Sequence, residues 1–112
     1  MNERLLQTIG RELLAWPGVS EVPGRFNSIE YRYGKAEIGH IHRNGVADLP
    51  FTRALHDDLI AAGRAHPHQA GSAGYVSVPI RRESDVPAAV DLFRMNYERA
   101  RESAQRRARA SA

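Results

Sequence analysis

The sequence predicts an α+β domain of two layers, in which an antiparallel sheet of three or four strands has helices packed on one face. Two stretches near the ends of the chain carry apolar residues at helical spacing. Residues 27–33 alternate apolar and polar side chains, and Gly34-Lys35 then fits a two-residue hairpin turn. The predicted element order is α-β-β-β-α-β-α.

Three helices are predicted. The first spans about residues 2–16 and ends at Pro17-Gly18, and the second runs from Pro50 to about Ala62 with Asp48 or Leu49 at its cap. The third begins at a Ser84 cap. Each has an apolar stripe at helical spacing: Leu6, Ile9, Leu13 and Trp16 in the first, Phe51, Leu55, Leu59 and Ala62 in the second, and Val86, Val90, Phe93 and Tyr97 in the third.

Four stretches are predicted as strands: residues 19–22, 27–33, 36–42 and 75–80. In the central hairpin, pairing Tyr33 with Ala36 sets Arg32 opposite Glu37, and these opposite charges favour that register. The same register puts His40 opposite Ile29, on the apolar face beside Tyr31. Residues 64–74 are predicted as a loop, and Pro79 indicates an edge strand or a bulge.

Composition restricts the function. The 112 residues suit a single domain, residues 1–100, and no apolar run approaches the ~20 residues of a membrane span. The chain has no cysteine, which excludes disulfides and thiolate chemistry, and no secretory signal is recognised, so the cytoplasm is the expected location. No cofactor is predicted, and the sequence leaves open whether the chain forms a homodimer.

The excess positive charge lies in residues 101–112, predicted as a frayed or disordered tail. This tail has four arginines and one glutamate, so the rest of the chain has twelve basic and twelve acidic residues. A nucleic-acid-binding face on the body is therefore not expected, although the tail could attract phosphates weakly.

Histidines are grouped in the sequence. His40 and His42 are two apart in a predicted strand and so share one face, and a second pair, His66 and His68, follows. With Asp48 and His68, they form a candidate acid–base site near neutral pH. A metal site is the less favoured interpretation because only two ligands can be placed from the sequence. Tyr31, Glu37 and Tyr75 are the predicted pocket residues.

The segment Glu37–Phe51, EIGHIHRNGVADLPF, with His68 and Gly74-Tyr75-Val76, resembles the small bacterial proteins of the luciferase family. The resemblance covers about residues 16–97 and implies no defined activity. It does not imply flavin-dependent light emission, which belongs to a (β/α)₈ barrel of ~250 residues. The chain departs from the family's Pro-x-Ser-Gly-Trp string, because Ala73 and Tyr75 replace its serine and tryptophan.

Three functions remain open. The first is a binding or interaction domain with a histidine-lined pocket for an unknown small molecule. The second is a small cofactor-independent enzyme that uses His40, His42 and Asp48 as acid–base groups. The third is a nucleic-acid accessory protein that acts through its arginine tail.

Overall fold

The computed structural model describes residues 2–68 and 74–111. Within them the chain forms three helices and an open six-stranded antiparallel sheet of order β1-β2-β3-β4-β6-β5. The elements are α1 (Glu3–Leu14), β1 (Val19–Pro23), β2 (Ser28–Tyr33), β3 (Ala36–His42), β4 (Val46–Pro50), α2 (Arg53–Ala61), β5 (His66–Pro67), β6 (Tyr75–Pro79) and α3 (Val86–Ser111). The α+β class and the antiparallel sheet are confirmed, and the predicted number of strands is wrong.

Strand β4 is the main element that was not predicted. The chain turns back at Gly45, which has a φ of 97°, and Val46 follows as the first residue of β4. Asp48 therefore lies in the middle of a strand and does not cap a helix. The cap of α2 is Thr52, whose hydroxyl accepts a hydrogen bond from the backbone N–H of Leu55 at 3.3 Å.

The strand β6 lies next to the edge strand of the sheet. It pairs with β4 on one side and with the two-residue strand β5 on the other, so β4 separates it from β3. His66 and Pro67 form β5 where a loop was predicted. Pro79 lies beyond the residues that pair with β5, which suits a residue that has no backbone N–H.

A β-bulge in β3 changes the predicted register of the hairpin. Tyr33 pairs with Ala36 and Arg32 with Glu37, as predicted, but Tyr31 then pairs with Gly39 because Ile38 is the extra residue. Beyond the bulge His40 lies opposite Glu30 and not opposite Ile29. The bulge therefore turns His40 away from the apolar face, and the predicted placement of His40 beside Tyr31 is wrong.

The core lies between the sheet and the helices. Its fully buried side chains include Ile9 and Leu13 of α1, Phe93 of α3 and Tyr31 of the sheet. Gly39 permits a close approach of α3 to the sheet, since a Cβ there would overlap the Phe93 ring. The predicted stripes of α1 and α3 are buried or packed against the core, whereas in α2 Leu59 is buried and Ala62 is exposed.

Helix α3 is fixed to the sheet by a buried amide. The Asn96 side chain donates hydrogen bonds to the backbone carbonyls of Ile38, at 3.1 Å, and Pro50, at 2.7 Å. The helix continues through the arginine segment to Ser111, and residues 105–111 are exposed. Among the helices in the described part of the chain, none has a stretch long and apolar enough to cross a membrane.

Candidate functional site

A row of polar residues crosses the sheet on the face opposite α3. Gly39 faces Phe93, so its neighbour His40 points to the other face. Directly paired residues share a face, and the pairing runs from Glu30 to His40, then to Asp48 and Ser77. The alternation of side chains along β2, β4 and β6, together with the bulge in β3, thus brings these four polar side chains into one line.

Asp48 is the centre of this row. The Nε2 atoms of His40, His42 and His68 lie 3.3, 2.9 and 3.3 Å from its Oδ2 atom. Its other oxygen, Oδ1, accepts a hydrogen bond of 2.7 Å from the Ser77 hydroxyl. Only 3% of the Asp48 side chain is exposed, so a buried carboxylate is surrounded by three imidazoles and a hydroxyl.

His40 is held from its other side by a second carboxylate. Its Nδ1–H donates to Oε2 of Glu37 at 2.5 Å, and the Tyr75 hydroxyl donates to Oε1 of Glu37 at 2.6 Å. The bulge makes this contact possible, since residues three apart in a regular strand point to opposite faces. The ring orientation of His40 is therefore fixed by Glu37, with Nε2 directed at Asp48.

The contacts in the site stabilise a protonated His40 ring beside ionised carboxylates near neutral pH. Hydrogen bonds to Asp48 and then Glu37 raise the pKa of His40 to about 9, although burial opposes this. Burial alone would raise the pKa of Asp48, but hydrogen bonds from His40, Ser77 and His42 outweigh it and hold that pKa well below its ordinary value. The pKa of Glu37 is lowered in the same way, because hydrogen bonds from His40 and Tyr75 outweigh burial.

These groups line an open cleft of about 540 Å³. Its floor has the imidazoles of His40, His42 and His68 beside Asp48, and its walls include Glu30, Glu37 and Tyr75. The His40 and His42 rings meet edge to face with their centroids 4.9 Å apart. The cleft therefore combines reachable imidazoles with carboxylates whose ionised form is stabilised.

Phe26 forms part of the cleft mouth and has an unusual conformation. Its φ of 55° and ψ of 44° are left-handed, which a bulky side chain rarely adopts, and 87% of the residue is exposed. Ser28 fixes this turn by donating from its hydroxyl to the Arg25 carbonyl at 2.7 Å. A strained backbone thus presents an aromatic ring to solvent beside the histidines.

Sequence comparison assigns the chain to a protein family. The profile of the Luciferase domain family matches residues 35–96, which is more than half of the chain. The chain belongs to the luciferase domain family. A search of curated proteins and a search of solved structures each found no match.

The match to the luciferase domain includes most of the cleft. Residues 35–96 contain the three cleft histidines, both central carboxylates, Tyr75 and Ser77. Arg25, Phe26, Ser28 and Glu30, which line the rest of the cleft, precede the matched range. The polar cluster therefore lies in the family's region, and the mouth with Phe26 lies outside it.

The structure brings together most of the site residues that were predicted from the sequence of this luciferase domain. His40, His42, Asp48 and His68 meet at one point, with Glu37 and Tyr75 beside them. Tyr31 does not join them, because it faces the helices, where it is 1% exposed and packs at a centroid distance of 6.0 Å from Phe93. The function of these residues stays a prediction. Ala73, where the chain departs from the family pattern, lies outside the described residues.

Ser77 and Glu30 were missed by the sequence analysis. Both are single polar residues in alternating strands, with Ser77 between Val76 and Val78 and Glu30 between Ile29 and Tyr31. Alternation indicates that such residues lie on the face away from the core. The missing information was the pairing of β4 with β3 and β6, which sets these residues beside the histidines.

Proposed function

We propose that this luciferase domain is a small-molecule-binding domain whose ligand occupies the histidine-lined cleft. The observation that carries the proposal is the convergence of three imidazoles on the buried Asp48 carboxylate inside an open cleft. Its volume of about 540 Å³ falls in the usual range of ligand sites, roughly 300–1,000 Å³.

The energetic cost of the cluster supports a binding role. Burying a carboxylate is unfavourable unless hydrogen bonds compensate, and replacement of buried ion pairs by well-packed apolar residues is often neutral or stabilising in proteins. Seven polar or charged groups nevertheless occupy one side of the sheet: Glu30, Glu37, His40, His42, Asp48, His68 and Ser77. Such a group beside an exposed aromatic ring suits a ligand with a polar part on the histidines and an apolar part on Phe26.

Side-chain NMR tests this proposal directly. Tag-free protein labelled at the histidine rings would be screened with a library of polar fragments that also carry a small apolar group. We expect binders to shift the resonances of His40, His42 and His68 together. His56 serves as an internal control, because it lies on α2, is paired with Asp57 at 2.9 Å and does not line the cleft. A library that perturbs none of the cleft histidines would contradict the proposal.

Acid–base catalysis by His40 is a second candidate function. The specific observation is the 2.5 Å hydrogen bond between Nδ1 of His40 and Glu37, since a carboxylate that orients an imidazole is a common feature of acid–base sites. His40 lines the cleft, and the His42–Asp48 pair at 2.9 Å supplies a second proton-exchanging group. In this scheme His40 transfers the proton and Glu37 fixes its ring.

The enzyme hypothesis is tested with a panel of chromogenic carboxylic and phosphate esters. We expect a turned-over substrate to lose about 10²–10⁴-fold in rate in His40→Ala. The matched variant His56→Ala should keep the full rate. Equal hydrolysis by the wild type, His40→Ala and His56→Ala would exclude His40 as the catalytic group.

A further inference from the structure

Several atoms that can bind a metal ion lie close together in the cleft. One nitrogen of His40, one of His42 and one oxygen of Asp48 all lie within 4.8 Å of one another. Nε2 of His68 lies 3.3 Å from Oδ2 of Asp48. Imidazole and carboxylate together are a usual ligand set for zinc and other divalent first-row transition metals.

The distances from Asp48 to the imidazole nitrogens are close to those between ligands of a shared ion. Ligand atoms bound to a tetrahedral Zn²⁺ at about 2.0–2.1 Å are about 3.3 Å apart. The distances from Asp48 Oδ2 to Nε2 of His40 and His68 are both 3.3 Å, and that to His42 is 2.9 Å. The three ligand atoms of His40, His42 and Asp48 together lie within 4.8 Å of one another, a wider spread than in a tetrahedral site, so the imidazoles would have to move closer together to bind one ion.

The surrounding contacts match those that orient metal ligands. A metal-binding histidine usually donates its other ring N–H to a carboxylate, which fixes the tautomer and the ring direction. Glu37 does this for His40 at 2.5 Å and is itself held by the Tyr75 hydroxyl at 2.6 Å. Ser77 holds Oδ1 of Asp48 at 2.7 Å, which leaves Oδ2 to face the histidines.

The charges also suit a divalent cation. Asp48 and Glu37 add two negative charges to the cluster, and both are in contact with His40. Glu30 forms an ion pair with Arg32, and Arg25 lies at the cleft mouth. A divalent cation bound at the histidines would therefore be attracted by both Asp48 and Glu37.

We infer that the cleft binds one divalent transition-metal ion of the Zn²⁺ type through His40, His42 and Asp48. The inference deepens the proposed function and rests on it, because it requires the cleft to be a binding site. It assigns Glu37 and Ser77 as positioning residues, since they act on the ion through His40 and Asp48.

Cobalt(II) is the probe for the test, because four-coordinate Co²⁺ gives intense visible absorption bands that weakly bound, hydrated Co²⁺ lacks. Tag-free full-length protein would be freed of metal with a chelator and titrated with Co²⁺, and then with Zn²⁺ in competition. We expect intense bands that saturate at one ion per chain and disappear when Zn²⁺ displaces Co²⁺.

Three variants locate the ion. His42→Ala removes a ligand and should abolish the intense bands, whereas Glu37→Gln keeps all ligands and should weaken affinity by about 10–100-fold. His56→Ala is the control and should bind as the wild type does. Circular dichroism of each variant checks that the fold is intact, and Glu37→Gln provides the answer if His42→Ala does not fold.

Absence of intense bands in the wild type, or equal binding by the wild type, Glu37→Gln and a folded His42→Ala, would overturn the inference. The fragment screen on metal-free protein separates the two proposals. Fragments that shift the cleft histidines while Co²⁺ does not bind would overturn the metal site alone. Failure of both experiments would overturn the binding function as well.

Discussion

His40 contacts Glu37 and Asp48, two of the three carboxylates that line the cleft. Its Nδ1 contacts Glu37 at 2.5 Å and its Nε2 contacts Asp48 at 3.3 Å, and its side chain is only 19% exposed. In the metal-free protein both contacts favour the protonated ring. The charge of this single residue therefore determines how the ionised carboxylates of the cleft are compensated.

The raised pKa of His40 predicts how stability depends on pH. In the unfolded chain its pKa is near 6.5, and in the folded metal-free protein it is about 9. The contribution of His40 is thus complete below about pH 6.5 and is lost as pH rises through 9. We expect the free energy of unfolding to fall by about 1–3 kcal/mol over this range.

Urea unfolding at several pH values with a chelator present measures this effect. The variant His40→Gln has no titrating ring and should lose less stability between pH 6.5 and 9 than the wild type does. A wild-type curve parallel to that of His40→Gln would show that the folded protein does not raise the pKa of His40.

Phe26 gives a second prediction at the scale of one residue. Its left-handed backbone, with φ of 55°, is strained for a side chain but not for glycine, and its exposed ring contributes little to the core. We expect Phe26→Gly to stabilise the fold by about 0.5–1 kcal/mol, after the entropy cost of glycine is included. Fragment binding should weaken at the same time, because the apolar mouth of the cleft is removed.

Thermal and urea unfolding measure the first effect, and the histidine NMR screen measures the second. Phe26→Leu is the control, because it keeps an apolar side chain and the strained backbone. Loss of stability in Phe26→Gly would contradict the assignment of strain.

At the scale of the elements, the bulge in β3 decides which side chains reach the cleft. Ile38 is the extra residue and is fully buried, so Glu37 and His40 lie on the same face although they are three apart. Gly39 then passes under Phe93, which allows α3 to lie close to β3. The bulge and the glycine together separate a polar face with His40 from an apolar face with Ile38.

The close approach at Gly39 predicts a specific loss of stability. A methyl group in Gly39→Ala would overlap the Phe93 ring, and overpacking of this kind costs about 1–3 kcal/mol. The double variant Gly39→Ala/Phe93→Leu should recover part of that loss relative to the sum of the single variants. Simple additivity in urea unfolding would show that the two residues do not interact.

Local sequence signals predicted many of the elements but not their arrangement in the sheet. The stripes of α1 and α3 and the Gly34-Lys35 turn follow from periodicity and turn chemistry, and these are confirmed. The bulge at Ile38 cannot be recognised from the alternation of apolar and polar residues, so the predicted face of His40 is wrong. Pro50 suggested a helix start, so β4 was not predicted. Asn44-Gly45 followed by alternating residues is nevertheless a hairpin signal.

At the scale of the whole molecule, the cleft and the arginine segment are separate features. The body has equal numbers of acidic and basic residues, and the excess charge lies in residues 101–112. In the structure, residues 101–111 form the end of helix α3. The buried residues of α3 end at Tyr97, so the core does not depend on the arginine segment.

Deletion of residues 101–112 should therefore leave the fold intact and remove most affinity for polyanions. Circular dichroism tests the fold, and fluorescence anisotropy with a labelled DNA duplex at several salt concentrations tests the binding. Replacement of the four tail arginines with glutamine is the matched control, because it removes the charge but keeps the helix. A truncated chain that still bound DNA with a steep salt dependence would place the binding face on the body.

The imidazole resonances of metal-free protein test whether the cleft histidines and Asp48 form one coupled site. We predict that His40 titrates with a pKa of about 9 in the wild type and nearer its ordinary value in Asp48→Asn. In the same variant the resonances of His42 and His68 should also move, while those of His56 should not. A wild-type His40 that titrates near its ordinary 6.5, or an Asp48→Asn change that leaves the other two cleft imidazoles unaltered, would contradict a coupled site.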